Sequence, residues 1–384
     1  MHVFISAGEP SGDLHGANLI RALRARYPDI RITGFGGPKM RATGVVLIYD
    51  LASLAVMWFG AVFKHLATFF RLAKEAKHHF ETERPDAVIL IDCPGFNFPL
   101  AKRAHAAGIP VYFFVPPQLW AWAGWRVKKV RRWFDGVLTA LPFEEEWYRT
   151  RGVNTRYVGH PYFDELVAQT PDAAFVAAER AKPGPVVALL PGSRNQEVER
   201  NFPYMLAAAK KIHAARPDAR FLVASFNERQ RDEAERLAAG GDLPITFHVG
   251  RTPEVIEAAE ACISVSGSVS LELMYRLKPT VVLYKVGRVF GVVATGFFLM
   301  VKYVTLVNLL ADEEVFPEYA TMYDKSGQIA GDILTWLNDP AALARRVERL
   351  RQLKDEFARP GACERAAAFL AETVLERRDE LTAA

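Results

Sequence analysis

The chain has 384 residues, half of them apolar, enough for two domains that each bury a core. A net charge of +4 does not point to a nucleic-acid binder but suits an anionic substrate or an anionic membrane surface. The three cysteines, Cys93, Cys262 and Cys363, have an odd count and no C-x-x-C spacing, which argues against a disulfide framework and for a reducing cytoplasm.

The chain opens directly into an apolar run with no basic leader or cleavage site, so no signal peptide is expected. Strands are expected at His2–Ala7, Ile30–Phe35, Ala87–Asp92, Val111–Val115, Gly136–Ala140 and Arg156–Val158, with helices such as Ala17–Tyr27 and Pro99–Ala107 between them. That alternation predicts an α/β unit with a parallel, doubly wound sheet. Gly159-His160-Pro161 interrupts it. A second α/β unit follows, with strands at Val186–Leu190, Arg220–Ala224, Ile245–Val249, Ala261–Val265 and Thr280–Tyr284, and helices such as Phe202–Ala215 and Glu228–Ala239. The apolar run Val289–Val301 has 13 residues between Arg288 and Lys302. A membrane-spanning helix needs roughly 20, so this run is expected to be a buried helix. The tail is charged and helical. The expected domains are residues 1–160, 161–340 and a helical tail 341–384 that is free to pack back on the first domain.

In an open α/β sheet ligands bind at the carboxyl ends of strands, so the loops there carry most weight. The first is Gly8-Glu9-Pro10-Ser11-Gly12-Asp13-Leu14-His15-Gly16. Gly8, Ser11 and Gly12 permit close approach of the backbone, and Ser11 or Asp13 is placed to cap the following helix. The N–H groups of that helix's first turn can face an anion or a sugar hydroxyl, and Glu9 and Asp13 bring two carboxylates to the same edge. The G-x-G-x-x-G spacing of dinucleotide sites is absent. A capped turn with no ligand is the alternative. The second loop is Ile91-Asp92-Cys93-Pro94-Gly95-Phe96-Asn97. Pro94 and Gly95 turn the chain, Asn97 is placed to cap the next helix, and Asp92 can accept a proton from a substrate hydroxyl or simply cap its own turn.

The second unit repeats this logic. Gly192 and Ser193 expose backbone N–H groups, and Arg194 offers a cationic fork for phosphate. Ser266, Gly267 and Ser268 open another helix, with Glu272 about one turn in, where it could accept hydrogen bonds from ribose hydroxyls. Together the two loops describe a pocket for a nucleotide diphosphate. No Walker A pattern is present.

Two further segments differ from their surroundings. Residues 51–77 are crowded with apolar side chains, including Trp58, Phe59, Phe63, Phe69 and Phe70, with Lys64, Arg71, Lys74 and Lys77 interspersed. Such a pattern fits a helix lying in a membrane interface, or a domain helix buried on most sides. The run Trp120-Ala121-Trp122-Ala123-Gly124-Trp125 precedes Arg126, Lys128, Lys129, Arg131 and Arg132. Its tryptophans can bury an acyl chain or pack a lid, and its cations can meet phosphate; a core-packed aromatic cluster on a solvated basic helix is the plainer reading.

The ordered set of Gly8-Glu9-Pro10-Ser11-Gly12-Asp13, Gly36-Gly37-Pro38-Lys39-Met40, Leu54-Ala55-Val56-Met57, Ile91-Asp92-Cys93-Pro94-Gly95-Phe96-Asn97 and Trp120-Ala121-Trp122 continues through Leu141-Pro142-Phe143-Glu144, Val158-Gly159-His160-Pro161 and Leu189-Leu190-Pro191-Gly192-Ser193-Arg194. It ends with Ser266-Gly267-Ser268, Leu306-Val307-Asn308-Leu309-Leu310 and Pro317-Glu318. In this order the segments resemble the lipid-A-disaccharide synthases, inverting glycosyltransferases of lipopolysaccharide biosynthesis. The resemblance implies a GT-B fold, with two Rossmann-like domains facing across a cleft. It implies a UDP-2,3-diacylglucosamine donor and a 2,3-diacylglucosamine 1-phosphate (lipid X) acceptor, with the lipid A disaccharide 1-phosphate and UDP as products. It implies Asp92 as general base and Arg194 at the UDP phosphates, together with Gly192, Ser193, Ser266, Gly267, Ser268 and Glu272. Glu9, Ser11, Gly12, Asp13, Asn97, Trp120, Trp122 and Arg126 are expected on the acceptor side. It further implies peripheral attachment to the anionic inner-membrane surface through the segment holding Trp58, Phe59, Phe63, Phe69 and Phe70. No metal, other cofactor or nucleic acid is expected, and a homodimer is left open. The chain departs from many members at Gly95, where a second aspartate is common, at Pro116 in place of Ser, and at Ala123 in place of Arg, which shifts the basic contact toward Arg126. The rival readings are a GT-B enzyme or epimerase acting on another nucleotide sugar, or a non-catalytic membrane-associated lipid-binding protein.

Overall fold

The structure, a computed structural model, describes residues 1–56, 66–285 and 301–383. The chain divides into two compact units, Met1–Glu165 with Arg359–Ala384, and Leu166–Ala358. The expected run Val289–Val301 lies almost entirely outside the described residues.

In the first unit β1 (His2–Ala7), β2 (Arg31–Gly36), β3 (Val46–Asp50), β4 (Ala87–Ile91), β5 (Val111–Phe114), β6 (Gly136–Thr139) and β7 (Thr155–Tyr157) form one sheet. Its order is β3-β2-β1-β4-β5-β6-β7, and every pairing is parallel. The central strands are apolar on both faces, as the Ala-Val-Ile-Leu-Ile of β4 illustrates, because helices cover both sides. One face packs Phe4, Phe80, Leu90 and Phe113; the other packs Ile5, Leu19, Ile20 and Ile89. The second face also takes Ala366, Ala367 and Leu370 from helix Ala362–Ala383, which lies along helix Pro10–Arg26.

The second unit holds β8 (Val186–Leu190), β9 (Arg220–Ser225), β10 (Ile245–Val249), β11 (Ala261–Ser264), β12 (Thr280–Lys285) and β13 (Glu318–Thr321). Their order is β10-β9-β8-β11-β12-β13, again all parallel. Helix Pro340–Phe357 belongs to this unit, so only the chain from Arg359 returns to the first.

Strands β3 and β13 are additions to the expected set. β3 is a partly exposed edge strand whose Val46 is 70% exposed, and β13 has four residues, Glu-Tyr-Ala-Thr. Both sheets reverse their strand order at one place, between β1 and β4 and between β8 and β11. At such a switch point the loops leaving the two strands diverge and open a crevice for a ligand.

Candidate active site

The switch point of the first sheet brings the two sequence-predicted loops together. Ala7 at the end of β1 pairs with Ile91 at the end of β4, so Gly8–Asp13 and Asp92–Asn97 leave the sheet side by side. Contact is close: a Cβ on Gly8 would come within 2.5 Å of Cys93 Sγ. Asp92 and Cys93 adopt φ of +44° and +45°, and Val115, just past β5, has φ of +51°. Left-handed backbone at non-glycine residues costs energy, most of all at a β-branched one, and clusters where function demands it.

Asn97 holds this strained turn in place. Its Oδ1 accepts from Ser6 Oγ at 2.9 Å, and its Nδ2 donates to the carbonyls of Ile91 at 2.9 Å and Asp92 at 2.7 Å. It is fully buried inside helix Pro94–Ala106, whose N-cap is Cys93. Asn97 is therefore neither a helix cap nor an exposed acceptor contact; it fixes the backbone that presents Asp92. The Asp92 carboxyl is pushed up to about 7, first by burial and then by the negative charge of Glu9, against a hydrogen bond from the Cys93 backbone.

Asp13 also differs from its expected role. It is 2% exposed, and its carboxylate accepts from the N–H groups of Gly37 at 2.7 Å, Lys39 at 2.9 Å and Met40 at 3.0 Å. It caps the neighbouring helix Pro38–Ala42, leaving Glu9, the N-cap residue, and exposed Ser11 as the polar groups at this loop's surface. Gly12 is buried against Ala7 and Ile91.

Beyond β5, Trp120 is 8% exposed and donates its indole N–H to Glu144 Oε1 at 2.9 Å. Glu144 Oε2 accepts from the N–H groups of Ala140 at 3.2 Å and Leu141 at 3.0 Å, at the end of β6. Burial pushes this carboxyl up to about 7 against those hydrogen bonds, and the Asp92 charge raises it further. Glu144 had no role in the sequence reading. Its signal was a glutamate at the third helical position after a strand, the acidic member of a capping box. Trp122 packs partly into the core, and Arg126 lies over its ring at 4.9 Å.

In the second sheet Ser264 of β11 pairs with Leu190 of β8, so Pro191–Arg194 and Ser266–Ser268 emerge together. Gly192 has φ of +126°, and a Cβ there would meet Glu197 Oε2 at 2.4 Å. That oxygen accepts from the N–H groups of Ser193 at 3.0 Å and Arg194 at 3.2 Å, while Glu197 Oε1 accepts from Arg194 Nη1 at 3.2 Å. The loop amides expected to face a phosphate are thus engaged by Glu197, which aims the half-exposed Arg194 side chain. Ser266 Oγ donates to the Val304 carbonyl at 3.3 Å, and Gly267 and Ser268 are exposed. Glu272 is buried, and its Oε1 is ion-paired with Arg276 at 2.9 Å, at the end of the helix Val269–Tyr275. Nearby, Asn308 bonds to Glu318 and to the backbone of Val315 and Phe316, and Glu318 accepts from the N–H groups of Val304 and Thr305. Buried Asn308 and partly buried Glu318 thus form a hydrogen-bonded scaffold that reaches the Ser266 loop through Val304.

Trp58, Phe59 and Phe63 lie outside the described residues. Phe69 turns inward, 5.4 Å from Phe96, because helix Leu66–Thr82 presents it with Leu72, Ala73 and Ala76 to the core. Phe70 points outward at 70% exposure, among exposed Arg71, Lys74 and Lys77.

Residues 3–373 match the family model for lipid-A-disaccharide synthetase. The chain is 37% identical to the lipid-A-disaccharide synthase of Myxococcus xanthus over 97% of both chains. This chain belongs to the lipid-A-disaccharide synthetase family. It is also 36% identical to the Thiobacillus denitrificans enzyme of the same name, over 95% of this chain and 98% of that one. Two solved structures share the fold of this lipid-A-disaccharide synthetase family member. A putative UDP-N-acetylglucosamine 2-epimerase from Listeria monocytogenes matches with a TM-score of 0.67 at 13% identity, over 98% of this chain and 97% of that one. MurG from Acinetobacter baumannii matches with a TM-score of 0.58 at 16% identity, over 97% and 99%. The GT-B class expected from the sequence is the class of these α/β folds, and family membership makes the chain a glycosyltransferase of lipid A biosynthesis. Among the described residues no helix is long and apolar enough to cross a membrane.

Proposed function

We propose that this chain joins UDP-2,3-diacylglucosamine to 2,3-diacylglucosamine 1-phosphate, with inversion at the anomeric carbon and release of UDP. The observation that carries the reading is Asp92: a carboxyl raised to about 7, held at the switch point of a parallel sheet in a strained turn. A general base works best when its pKa lies near the working pH. Asp92 takes the proton of the acceptor's 6-hydroxyl as that oxygen attacks the anomeric carbon from the face opposite UDP. The bond to the diphosphate breaks with its electron pair staying on UDP. Arg194, oriented by Glu197, and the Ser266–Ser268 loop meet the charge that develops there. The acceptor is expected to meet Glu9, Ser11, Trp122 and Arg126 in the first unit. Exposed Phe70 and the cations around it support peripheral attachment to the anionic inner-membrane surface from the cytoplasmic side, where both acylated substrates reside.

The test is UDP release from the acylated donor with and without lipid X, alongside the same pair lacking acyl chains. Acceptor-dependent release with formation of the disaccharide is expected only for the acylated pair. Release independent of the acceptor, or equal rates with non-acylated sugars, would contradict the reading.

A further inference from the structure

Between β5 and β6 the chain passes through helix Leu119–Trp122, the short 3-10 turn Gly124–Arg126 and helix Val127–Trp133. A crossover between neighbouring parallel strands leaves one sheet edge and returns to the other, so its first residues lie at the carboxyl edge. Arg126 is the N-cap of the returning helix Val127–Trp133, whose start lies on the edge where β4 delivers Asp92. Its guanidinium lies over the rings of both Trp122, at 4.9 Å, and Trp125, at 5.1 Å. Lys129, one turn on, lies 5.8 Å from the Trp125 ring and 6.0 Å from Phe98, on the helix that begins immediately after Asp92. Trp125 is 61% exposed. Among the described residues neither cation has a carboxylate partner, whereas Arg149 and Arg151, on the next helix and just past it, are engaged with Glu146 and with the Trp147 carbonyl.

An arginine held over aromatic rings by cation–π attraction is restrained in position, yet it keeps N–H donors for an oxyanion. Desolvation by the indoles strengthens whatever charge pairing it makes. We infer that Arg126, with Lys129 behind it, is a binding site for the phosphate monoester of the acceptor, so that the sugar is held at its phosphate end here while its hydroxyl end reaches Asp92. The inference rests on the acceptor-side reading of the first unit given above. The same cations could meet phosphates of the bilayer, and Lys128, Arg131 and Arg132 extend the exposed charge along the helix; the experiment separates the two sources.

Arg126→Gln, Lys129→Gln and the conservative Arg126→Lys are compared with the parent in neutral-detergent micelles, using lipid X and the same diacyl sugar without its phosphate. Loss of one charge-assisted contact predicts a rise of about tenfold or more in KM for lipid X with Arg126→Gln. A smaller rise is expected with Arg126→Lys, with KM for the donor and for the phosphate-free acceptor unchanged. An equal change for both acceptors, or none, overturns the assignment. Equilibrium binding of lipid X against its phosphate-free counterpart, read by tryptophan fluorescence, needs no turnover. Failure of catalysis in the parent would sink the proposed function, but loss of phosphate-dependent binding in Arg126→Gln would still support this site, and its retention would overturn it. A third arm measures flotation with phosphatidylcholine vesicles with and without phosphatidylglycerol. A defect confined to anionic vesicles, with the lipid X KM intact, assigns the cations to the bilayer and overturns the proposal.

Discussion

Asp92 is caught between stability and chemistry. Its carboxyl is buried beside Glu9 on backbone with φ of +44°, and each of these features opposes ionisation or a relaxed chain. As a base it must be ionised, so kcat/KM should fall as pH drops through about 7, with a single-proton slope on the acid side. A pH–rate profile checks this, and an acid limb near 4 would show that burial and Glu9 do not raise the carboxyl as described. Stability runs the other way. The folded pKa exceeds the unfolded one, so between about 4 and 7 the native state holds more protons and loses stability as pH rises. At pH 8 that loss is complete, and Asp92→Asn, which cannot ionise and tolerates left-handed backbone better, should melt above the parent; at pH 4 the gap should narrow. A variant that melts lower at both values would contradict the assigned environment.

At the level of elements, the loops at the strand ends are built more tightly than residue types alone convey. The positions of β1, β4, β8 and β11 were legible because their runs are mostly apolar, and strand ends then located Asp92 and Arg194. What the side chains do there was less legible. Asp13 and Glu272 read as ligands because acidic residues near helix starts attract hydroxyls, yet one caps a helix from the next βα unit and the other pairs with Arg276 on its own helix. Tertiary neighbours decide between these outcomes, and a single sequence does not name them. Glu144 escaped for the same reason, its partner Trp120 standing 24 residues away. β13 escaped because Glu-Tyr-Ala-Thr carries little apolar signal, whereas the Val-Leu-Ile-Tyr run of β3 was legible and went unassigned. The Pro191–Arg194 loop yields a direct check. Gly192→Ala places a side chain at φ of +126° against Glu197, which should cost about 1–3 kcal/mol and release Arg194. Calorimetry should find weaker UDP binding together with a lower melting temperature, and unchanged UDP affinity would separate the loop from the nucleotide.

For the whole molecule, two parallel sheets with the same kind of switch point divide the proposed reaction, the base in one unit and the contacts for the leaving diphosphate in the other. The proposed membrane contact lies in the first unit. Each buried methylene of an acyl chain is worth about 0.8 kcal/mol, so an enzyme acting on diacyl sugars works at the bilayer surface. Replacing Phe70 by Ser should reduce flotation with anionic vesicles while preserving activity on detergent-dispersed substrate; equal flotation of the folded variant would remove this face from the membrane contact. The division of labour itself is tested most directly by Asp92→Asn, with acceptor-dependent UDP release and UDP affinity measured on the same protein. The account predicts a fall in turnover of roughly 10²–10⁴-fold with UDP binding unchanged. A variant that keeps most of its turnover, or that loses UDP binding along with it, would contradict the account.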